Sequence, residues 1–460
     1  VARRLFGTDG IRGVANEKLT PELALKLGQA IGIWLQENGH TRRVCLGRDT
    51  RKSGTMLEAA LAAGLCSEGV DVVLLGVAPT PTVAYVARTG QFDMGGIISA
   101  SHNPAPDNGI KFVTHEGRKT SDELEEVLEA LMESLPLRRP TGGGVGSIRS
   151  DHEPIDRYLS MLESIVPERL EGVRVAVDAA NGAAYQLGPE ILRRLGAEVV
   201  TIGNEPDGVN INAEGGATKP HVIQEFTVKS GASVGVAFDG DADRAVFSDE
   251  KGALINGDRT IGIWAANRQK AGSLDPAVVV GTVMSNGGYE AYLAGIGIKL
   301  ERAPVGDKYV SQRIEQTGAH IGGEQSGHIV FPQHGPTGDG LVTMLELLRA
   351  MKQEGRPASS FTADYEAWPQ LLINVGVESS SGWQEKPLVA AAISDGETRL
   401  AGHGRIVVRA SGTQPMIRVM VEADEEALRD SVADNVVLAM QKELHGSVHG
   451  RVDLTHALGD

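Results

Sequence analysis

Short unbroken apolar runs alternate along the chain with longer segments of helical period. Val44-Cys45-Leu46-Gly47 and Val72-Val73-Leu74-Leu75 are too short for helices and lack the polar alternation of a half-exposed sheet. They read as buried strands. A helical segment precedes the first run, and another joins the two. Thr20 is placed to cap the first helix, Pro21 suits its opening turn, and Gly39 follows its end. Ser53 is placed to cap the second, which runs to about Glu68 and closes at Gly69. The pattern restarts at residues 173–177, with a helix near Glu190 and a strand at Val199-Val200. It restarts again at residues 278–280, with a helix after Gly287-Gly288. Such alternation predicts α/β layers on parallel or mixed sheets.

The last hundred residues read differently. Residues 405–409 and 416–422 have strand character, and a long helix begins near Glu425. The predicted organisation is three analogous α/β domains, 1–150, 151–252 and 253–365, followed by a smaller α+β domain, 366–460. The seams fall at Thr141-Gly142-Gly143-Gly144, near Lys251-Gly252 and near Tyr365.

Composition narrows the function. Among 460 residues, 41% are apolar and 23% charged, which fits packed domains rather than a disordered chain. The net charge of −16 argues against a general nucleic-acid binder, which needs a basic face. An anionic substrate would require arginines and lysines gathered locally. No run approaches the roughly 20 apolar residues of a membrane span, and residues 1–7 lack the apolar core of a signal peptide. Cys45 and Cys66, the two cysteines, lie in apolar segments without CxxC spacing and read as buried thiols. A reducing, cytoplasmic setting is therefore expected. Glycine, at 58 residues, exceeds its ordinary share of about 7%. That predicts loops whose backbone approaches something closely.

Four segments carry candidate chemistry. The first is Asp239-Gly240-Asp241-Ala242-Asp243-Arg244, after the apolar strand 234–238. Alternate residues of extended chain share a side, so three carboxylates can converge. Oxygen ligands select a hard cation such as Mg²⁺ or Ca²⁺. A solvated acidic turn is the bland alternative. An EF-hand is excluded, because Arg244 stands where that loop needs glycine and a strand, not a helix, precedes it. Arg244 suits an anion held by the same cation.

The second segment, Ile97-Ile98-Ser99-Ala100-Ser101-His102-Asn103-Pro104, ends an apolar run in a polar turn, with Lys111 returning on the next strand. Open α/β sheets place chemistry at such strand ends. Ser101 is a candidate nucleophile, although a turn serine also bonds its own backbone. The adjacency of His102 does not by itself make a nucleophile–base pair. The third is Gly322-Gly323-Glu324-Gln325-Ser326-Gly327-His328, where Glu324, Ser326 and His328 alternate and suit sugar hydroxyls; a hydrophilic turn is the alternative. The fourth is Arg409-Ala410-Ser411-Gly412-Thr413-Gln414-Pro415, with Arg418 on the following strand. Its small residues offer backbone N–H groups to an anion, Ser411 and Thr413 add hydroxyls, and Arg409 can grip two phosphate oxygens. No Walker loop, GxGxxG or HExxH is present, so ATP, dinucleotide and zinc-protease readings lose their usual support.

Together these segments resemble the α-D-phosphohexomutase superfamily, from Phe6-Gly7-Thr8-Asp9-Gly10-Ile11-Arg12-Gly13 to beyond Glu422. The resemblance implies four domains around a central cleft, contributing in order a phosphoserine loop, a metal loop, a sugar loop and a phosphate loop. Phe6 to Gly13, Glu324-Gln325-Ser326-Gly327-His328, Asn210-Ile211-Asn212, Gly216-Ala217-Thr218 and Gly338-Asp339-Gly340 are most similar to the branch acting on glucosamine phosphates. Mannose/glucose relatives usually carry methionine at the place of Gln325, and the family's phosphate loop often has glutamate at the place of Gln414.

What the resemblance implies is a phosphoserine at Ser101 and one Mg²⁺ held by Asp239, Asp241, Asp243 and a phosphoryl oxygen on Ser101. Arg12 and Lys111 would stand beside the transferring group, with Lys111 or His328 handling a proton. Arg244, Glu324, Ser326, His328, Arg409, Ser411, Gly412, Thr413 and Arg418 would bind substrate. A hexosamine or hexose 1,6-bisphosphate would be intermediate or activator, and a kinase or bisphosphate donor would prime Ser101. No nucleic acid or membrane is implied, and a homodimer is compatible with the reading. Taken alone, Arg12 could pair locally with Asp9, and Lys111 could be a surface lysine. Competing functions are a phosphomannomutase/phosphoglucomutase, a non-catalytic phosphosugar-binding protein on the same fold, and a phosphatase that hydrolyses phosphoserine.

Overall fold

A computed structural model describes residues 5–7, 9–135, 139–362, 364–411, 415–455 and 458. The expected elements form. Thr20 Oγ1 accepts from the N–H of Leu23 and caps helix Pro21–Glu37. Helix Gly54–Ser67 follows strand Arg43–Arg48, and strand Asp71–Val77 comes next. One expectation fails: Ser53 precedes the second helix but does not cap it. Its hydroxyl instead accepts from Asn108 Nδ2 at 2.9 Å, a bond to a distant strand that competes with local capping. Helices Pro21–Glu37 and Gly54–Ser67 cross very closely. A Cβ on Gly28 would lie 2.4 Å from the Leu61 carbonyl oxygen, and one on Gly64 would lie 2.2 Å from that of Leu25.

The described residues form four sheets. In the first, Met94–Ile98, Arg43–Arg48, Asp71–Val77 and Ile148–Ser150 run parallel in that spatial order. Phe6–Gly7, Gly10–Val14 and Asp107–Thr114 extend it antiparallel beyond Met94–Ile98. The second orders Leu254–Ile255, Ala245–Asp249, Val234–Phe238, Arg174–Asp178 and Glu198–Ile202. Lys251-Gly252, an expected seam, lies in the hairpin turn between its first two strands. The third contains Lys299–Ala303, Val278–Thr282, Gly322–Gly323 and Ile329–Val330. The fourth is antiparallel, with Gly404–Ala410, Met416–Ala423, Gln370–Gly376 and Ser447–Asp453, and helices Pro387–Leu400 and Glu426–Leu444 pack with it. The chain is thus α/β, with mixed sheets and a smaller C-terminal unit.

The cores are not divided evenly among the sheets. One apolar cluster runs through the first three units and includes Val83, Tyr158, Phe238, Trp264, Phe331 and Leu345. The fourth unit has its own cluster around Ile373, Val419 and Val436. Met284 joins it to the rest through a small patch with Leu372, Met420 and Leu454. Burial in one continuous core binds the first three units into a block.

Candidate active site

Strand Val234–Phe238 delivers the acidic loop at its C-terminal end. Strand Met94–Ile98 delivers Ser101 in the same way. Ser101 has a left-handed backbone, φ 50°, uncommon for a residue with a Cβ. Surrounding bonds hold it there. Its N–H donates to Ser99 Oγ at 2.9 Å, and its carbonyl accepts from Arg51 Nη2 at 3.0 Å and Asn212 Nδ2 at 2.9 Å. Arg51 is buried, paired with buried Asp49, and also donates to the carbonyls of Asn103, Pro104 and Asp107. One guanidinium therefore organises the whole serine turn.

The serine turn and the acidic loop touch. Ser101 Oγ donates to Asp239 Oδ2 at 2.6 Å. His102 Nδ1 lies 3.3 Å from the same hydroxyl. Gly240 is required by this approach, since a Cβ there would fall 2.4 Å from the Ser101 carbonyl oxygen. Ala242 adopts φ 57°, which curls the loop. Carboxylate oxygens of Asp239, Asp241 and Asp243 lie within 4.8 Å of one another.

The electrostatics of this point suit a cation. Burial and the charges of Asp243 and Asp241 hold the Asp239 carboxyl well above the ordinary carboxylate range. Burial also opposes ionisation of Asp241, but the Lys111 ammonium and Thr80 hydroxyl outweigh it and hold that carboxyl low. Thr80 Oγ1 donates to Asp241 Oδ2 at 2.6 Å, and Lys111 Nζ does so at 2.9 Å. Asp241 Oδ1 and Asp243 Oδ1 are buried without a hydrogen bond. Two bare carboxylate oxygens beside a third carboxylate fit a hard divalent cation.

Further positive charge surrounds the triad. Lys111 is buried, and Asp241, Asp9 and Asp243 outweigh its burial to keep its ammonium charged. Asp9 pairs with Arg12, stands 3.7 Å from Lys111 Nζ, and accepts from Lys119 at 2.7 Å. Lys119 also reaches Asp307 at 2.7 Å, joining the first unit to the third.

The sugar loop reaches the same place. Arg244 and His328 pair through their backbones, and His328 Nε2 lies 4.0 Å from Asp243 Oδ2. The Gly327 carbonyl accepts from the N–H of Ala245 at 3.1 Å. Ser326 is buried, while Glu324 Oε1 accepts from the N–H of Gly306 at 2.8 Å. The start of helix Gly340–Glu354 closes the back of the metal loop, where the Gly340 N–H donates to the Ala242 carbonyl at 3.0 Å. Asp339 caps that helix and accepts from Tyr158 at 2.7 Å. A cavity of about 450 Å³ lined by Asp9, Lys111, Lys119, Asp307 and His328 adjoins the site.

In the fourth unit Arg409 and Arg418 face each other in register across neighbouring strands. Burial and Arg418 lower the pKa of Arg409, and the nearby charge of Glu324 partly offsets that. Two like charges so placed suit a shared anion. Ser411 donates its N–H to the Met416 carbonyl at 2.8 Å. Gly412, Thr413 and Gln414 lie outside the described residues.

Models of the four phosphoglucomutase/phosphomannomutase domains match the chain in order. Alpha/beta/alpha domain I covers residues 3–139, domain II 156–252, domain III 256–368 and the C-terminal domain 372–439. The chain belongs to the phosphoglucomutase/phosphomannomutase family. Within the α-D-phosphohexomutase superfamily it is similar to the phosphoglucosamine mutase of Desulforudis audaxviator, with 48% identity over 94% of this chain and 97% of the relative. It is also similar to that of Symbiobacterium thermophilum, with 48% identity over 96% of this chain and 99% of the relative. Among solved structures it matches a phosphoglucomutase/phosphomannomutase family protein from Burkholderia thailandensis. The TM-score is 0.78 and the identity 26%, covering 95% of this chain and 97% of that one. The Aspergillus fumigatus N-acetylphosphoglucosamine mutase, in complex with GlcNAc-6P and magnesium, shares the fold. There the TM-score is 0.64 and the identity 18%, covering 95% of this chain and 96% of that one. Among the described residues, no helix of this phosphohexomutase is long and apolar enough to cross a membrane.

Several residues of the site were not singled out from the sequence. Asp49 and Arg51 follow a parallel strand at its C-terminal end, the position where α/β sheets carry chemistry, and that signal could have found them. Thr80 and Lys119 carry no local signal; only the packing of distant segments brings them to Asp241 and Asp9.

Proposed function

We propose that the protein is a phosphoglucosamine mutase, interconverting glucosamine 6-phosphate and glucosamine 1-phosphate through phosphoserine at Ser101 and a 1,6-bisphosphate. The observation that carries the chemistry is the Ser101 hydroxyl 2.6 Å from Asp239, within the aspartate triad. The naming of the sugar is supported by relatives 45–48% identical over nearly the whole chain.

In the forward direction the O1 hydroxyl of glucosamine 6-phosphate attacks the phosphorus on Ser101. The new O1–P bond forms as the Oγ–P bond breaks, and Ser101 is left as an alcohol. The bisphosphate turns over in the cleft. Ser101 Oγ then attacks the phosphorus on O6, the O6–P bond breaks, and glucosamine 1-phosphate leaves. Asp239, Asp241 and Asp243 would hold Mg²⁺, which would supply charge neutralisation at the transferring group.

Lys111, kept charged by Asp241 and Asp9, and Arg12 beside Asp9 extend that positive field. A lysine so held is a poor base, which favours His328, 4.0 Å from Asp243, as carrier of the hydroxyl proton. Glu324 and Ser326 suit the sugar hydroxyls. Arg244, Arg409, Arg418 and the Ser411–Thr413 segment suit phosphate oxygens, so one anion site serves either end of the substrate. Priming needs a phosphoryl donor, a kinase or a 1,6-bisphosphate. The buried free thiols of Cys45 and Cys66 suit a cytoplasmic enzyme.

The test incubates the purified protein with glucosamine 6-phosphate and Mg²⁺ and follows the 1-phosphate by phosphorus NMR. Comparable rates on mannose 6-phosphate would move the assignment to the broader mannose/glucose enzymes. Steady release of inorganic phosphate without isomer would make it a phosphatase. Intact mass with peptide mapping should find one phosphate, on Ser101.

A further inference from the structure

Gln325 sits in the sugar loop between Glu324 and Ser326, yet it lines a different cavity from His328. His328 borders the cavity shared with Lys111 and Asp9, whereas Gln325 borders one of about 370 Å³ with Asn256, Asn286 and Tyr365. Gln325 Nε2 donates to Asp258 Oδ2 at 3.0 Å. The same oxygen accepts from the Asn286 N–H at 2.9 Å. Asn286 caps helix Gly287–Gly295, and its amide grips Trp368 at two points: Oδ1 accepts from the Trp368 N–H and Nδ2 donates to the Trp368 carbonyl, each at 2.9 Å. Trp368 lies two residues before Gln370–Gly376, the first strand of the fourth sheet. Gln325, Asp258 and Asn286 are all buried.

A second tie runs alongside. Arg405 donates to the carbonyls of Val283 at 2.5 Å and Ser285 at 2.6 Å. Arg405 belongs to strand Gly404–Ala410, which also presents Arg409. The 283–286 segment is therefore bonded to the sugar loop through Asp258 on one side and to the fourth unit on the other. Because the fourth unit has its own core, these polar bonds carry much of its placement.

We infer that Gln325 is a positioning residue: through Asp258 and Asn286 it holds the sugar loop in register with the two paired strands that present Arg409 and Arg418. The inference rests on the proposed reading of these loops as two ends of one substrate site. Methionine at this position would fill similar volume but offer Asp258 no donor.

Hydrogen exchange on the full chain, with and without glucose 1,6-bisphosphate, tests it. In the wild-type protein the bisphosphate should slow exchange in the peptide spanning 366–372 by about tenfold. Gln325→Met should lose most of that slowing. Asn286→Ser, which keeps a capping hydroxyl but loses the double grip on Trp368, should do the same, and the double variant should be no worse than either single one. In Gln325→Met, KM for glucosamine 6-phosphate should rise about tenfold while kcat changes less than about threefold. Full slowing retained in folded Gln325→Met or Asn286→Ser overturns the inference. So does absence of slowing in a wild-type protein that still turns over glucosamine 6-phosphate. Slowing intact with no turnover of that sugar instead defeats the reaction assignment and leaves the tie standing.

Discussion

Ser101 Oγ and Asp239 Oδ2 are 2.6 Å apart although 138 positions separate the two residues in the chain. Two different sheets each end a strand at this point. The contact sets where a phosphoryl group carried on Ser101 would lie relative to the aspartates. Ser101→Ala removes the atom that would carry the phosphoryl group. Mutase turnover should fall by at least about 10³-fold, with the melting temperature nearly unchanged. More than trace turnover in a clean preparation would rule out the nucleophile.

Gly240→Ala places a methyl group against the Ser101 carbonyl oxygen, and neither backbone can yield easily. The serine should shift by a fraction of an ångström. We expect kcat to fall by about 10²-fold and stability by about 1–3 kcal/mol. Steady-state kinetics and urea unfolding measure the two effects, and an unperturbed kcat would contradict the close approach.

A divalent cation that relieves the aspartate crowding would bind the folded chain alone. Millimolar Mg²⁺ should raise the melting temperature by a few degrees in the absence of substrate, and EDTA should reverse this while silencing turnover. Asp241→Asn should blunt both responses. Calorimetry that finds no dependence on Mg²⁺ would remove the metal role.

Arg409→Ala should act mainly on affinity, because under the proposed reading Arg409 and Arg418 would grip the phosphate that is not reacting. KM for glucosamine 6-phosphate should rise about 10- to 100-fold, with a smaller change in kcat. A loss confined to kcat would place Arg409 at the transferring group instead.

Burial pushes the Asp339 carboxyl up to about 6 from an ordinary 3.8, against the opposing bonds from Val342 and Tyr158. Between these values the folded chain keeps a proton that the unfolded chain releases. That contribution is full below about pH 4 and is lost as pH rises through 6. Asp339→Asn keeps the cap without the titration. Wild-type stability relative to this variant should therefore fall on the order of 1–3 kcal/mol from pH 4 to pH 7, read from urea midpoints. A pH-independent difference would refute it.

Local pattern revealed the parts of the site that one segment can carry alone. The spacing of Asp239, Asp241 and Asp243 after an apolar strand, and the turn holding Ser101, were legible because strand ends are local, but the carboxylates meet through a turn with Ala242 at φ 57°, not through the expected alternation of extended chain. Arg12 and Asp9, a local pair that the sequence spacing allows, do bond. What the sequence hid is the third dimension of the same chemistry. Asp9 also serves Lys111 and Lys119, and Asp241 takes Thr80 from a helix start some 160 positions away. Ser53 shows the converse: its local role as a cap yields to Asn108, a partner that no short window contains.

The unbroken core of the first three units bears on how substrate can come and go. Those units share their interior, so widening the cleft between them would expose apolar surface at a steep free-energy cost. Among the described residues the fourth unit meets its neighbours through a small apolar patch, Met284 against Leu372, Met420 and Leu454, through Leu458 on the second unit's core, and through hydrogen bonds, which water can replace. The fourth unit is thus the least costly wall of the cleft to displace, and under the proposed reaction a reversing bisphosphate would be released at the end that carries Arg409 and Arg418.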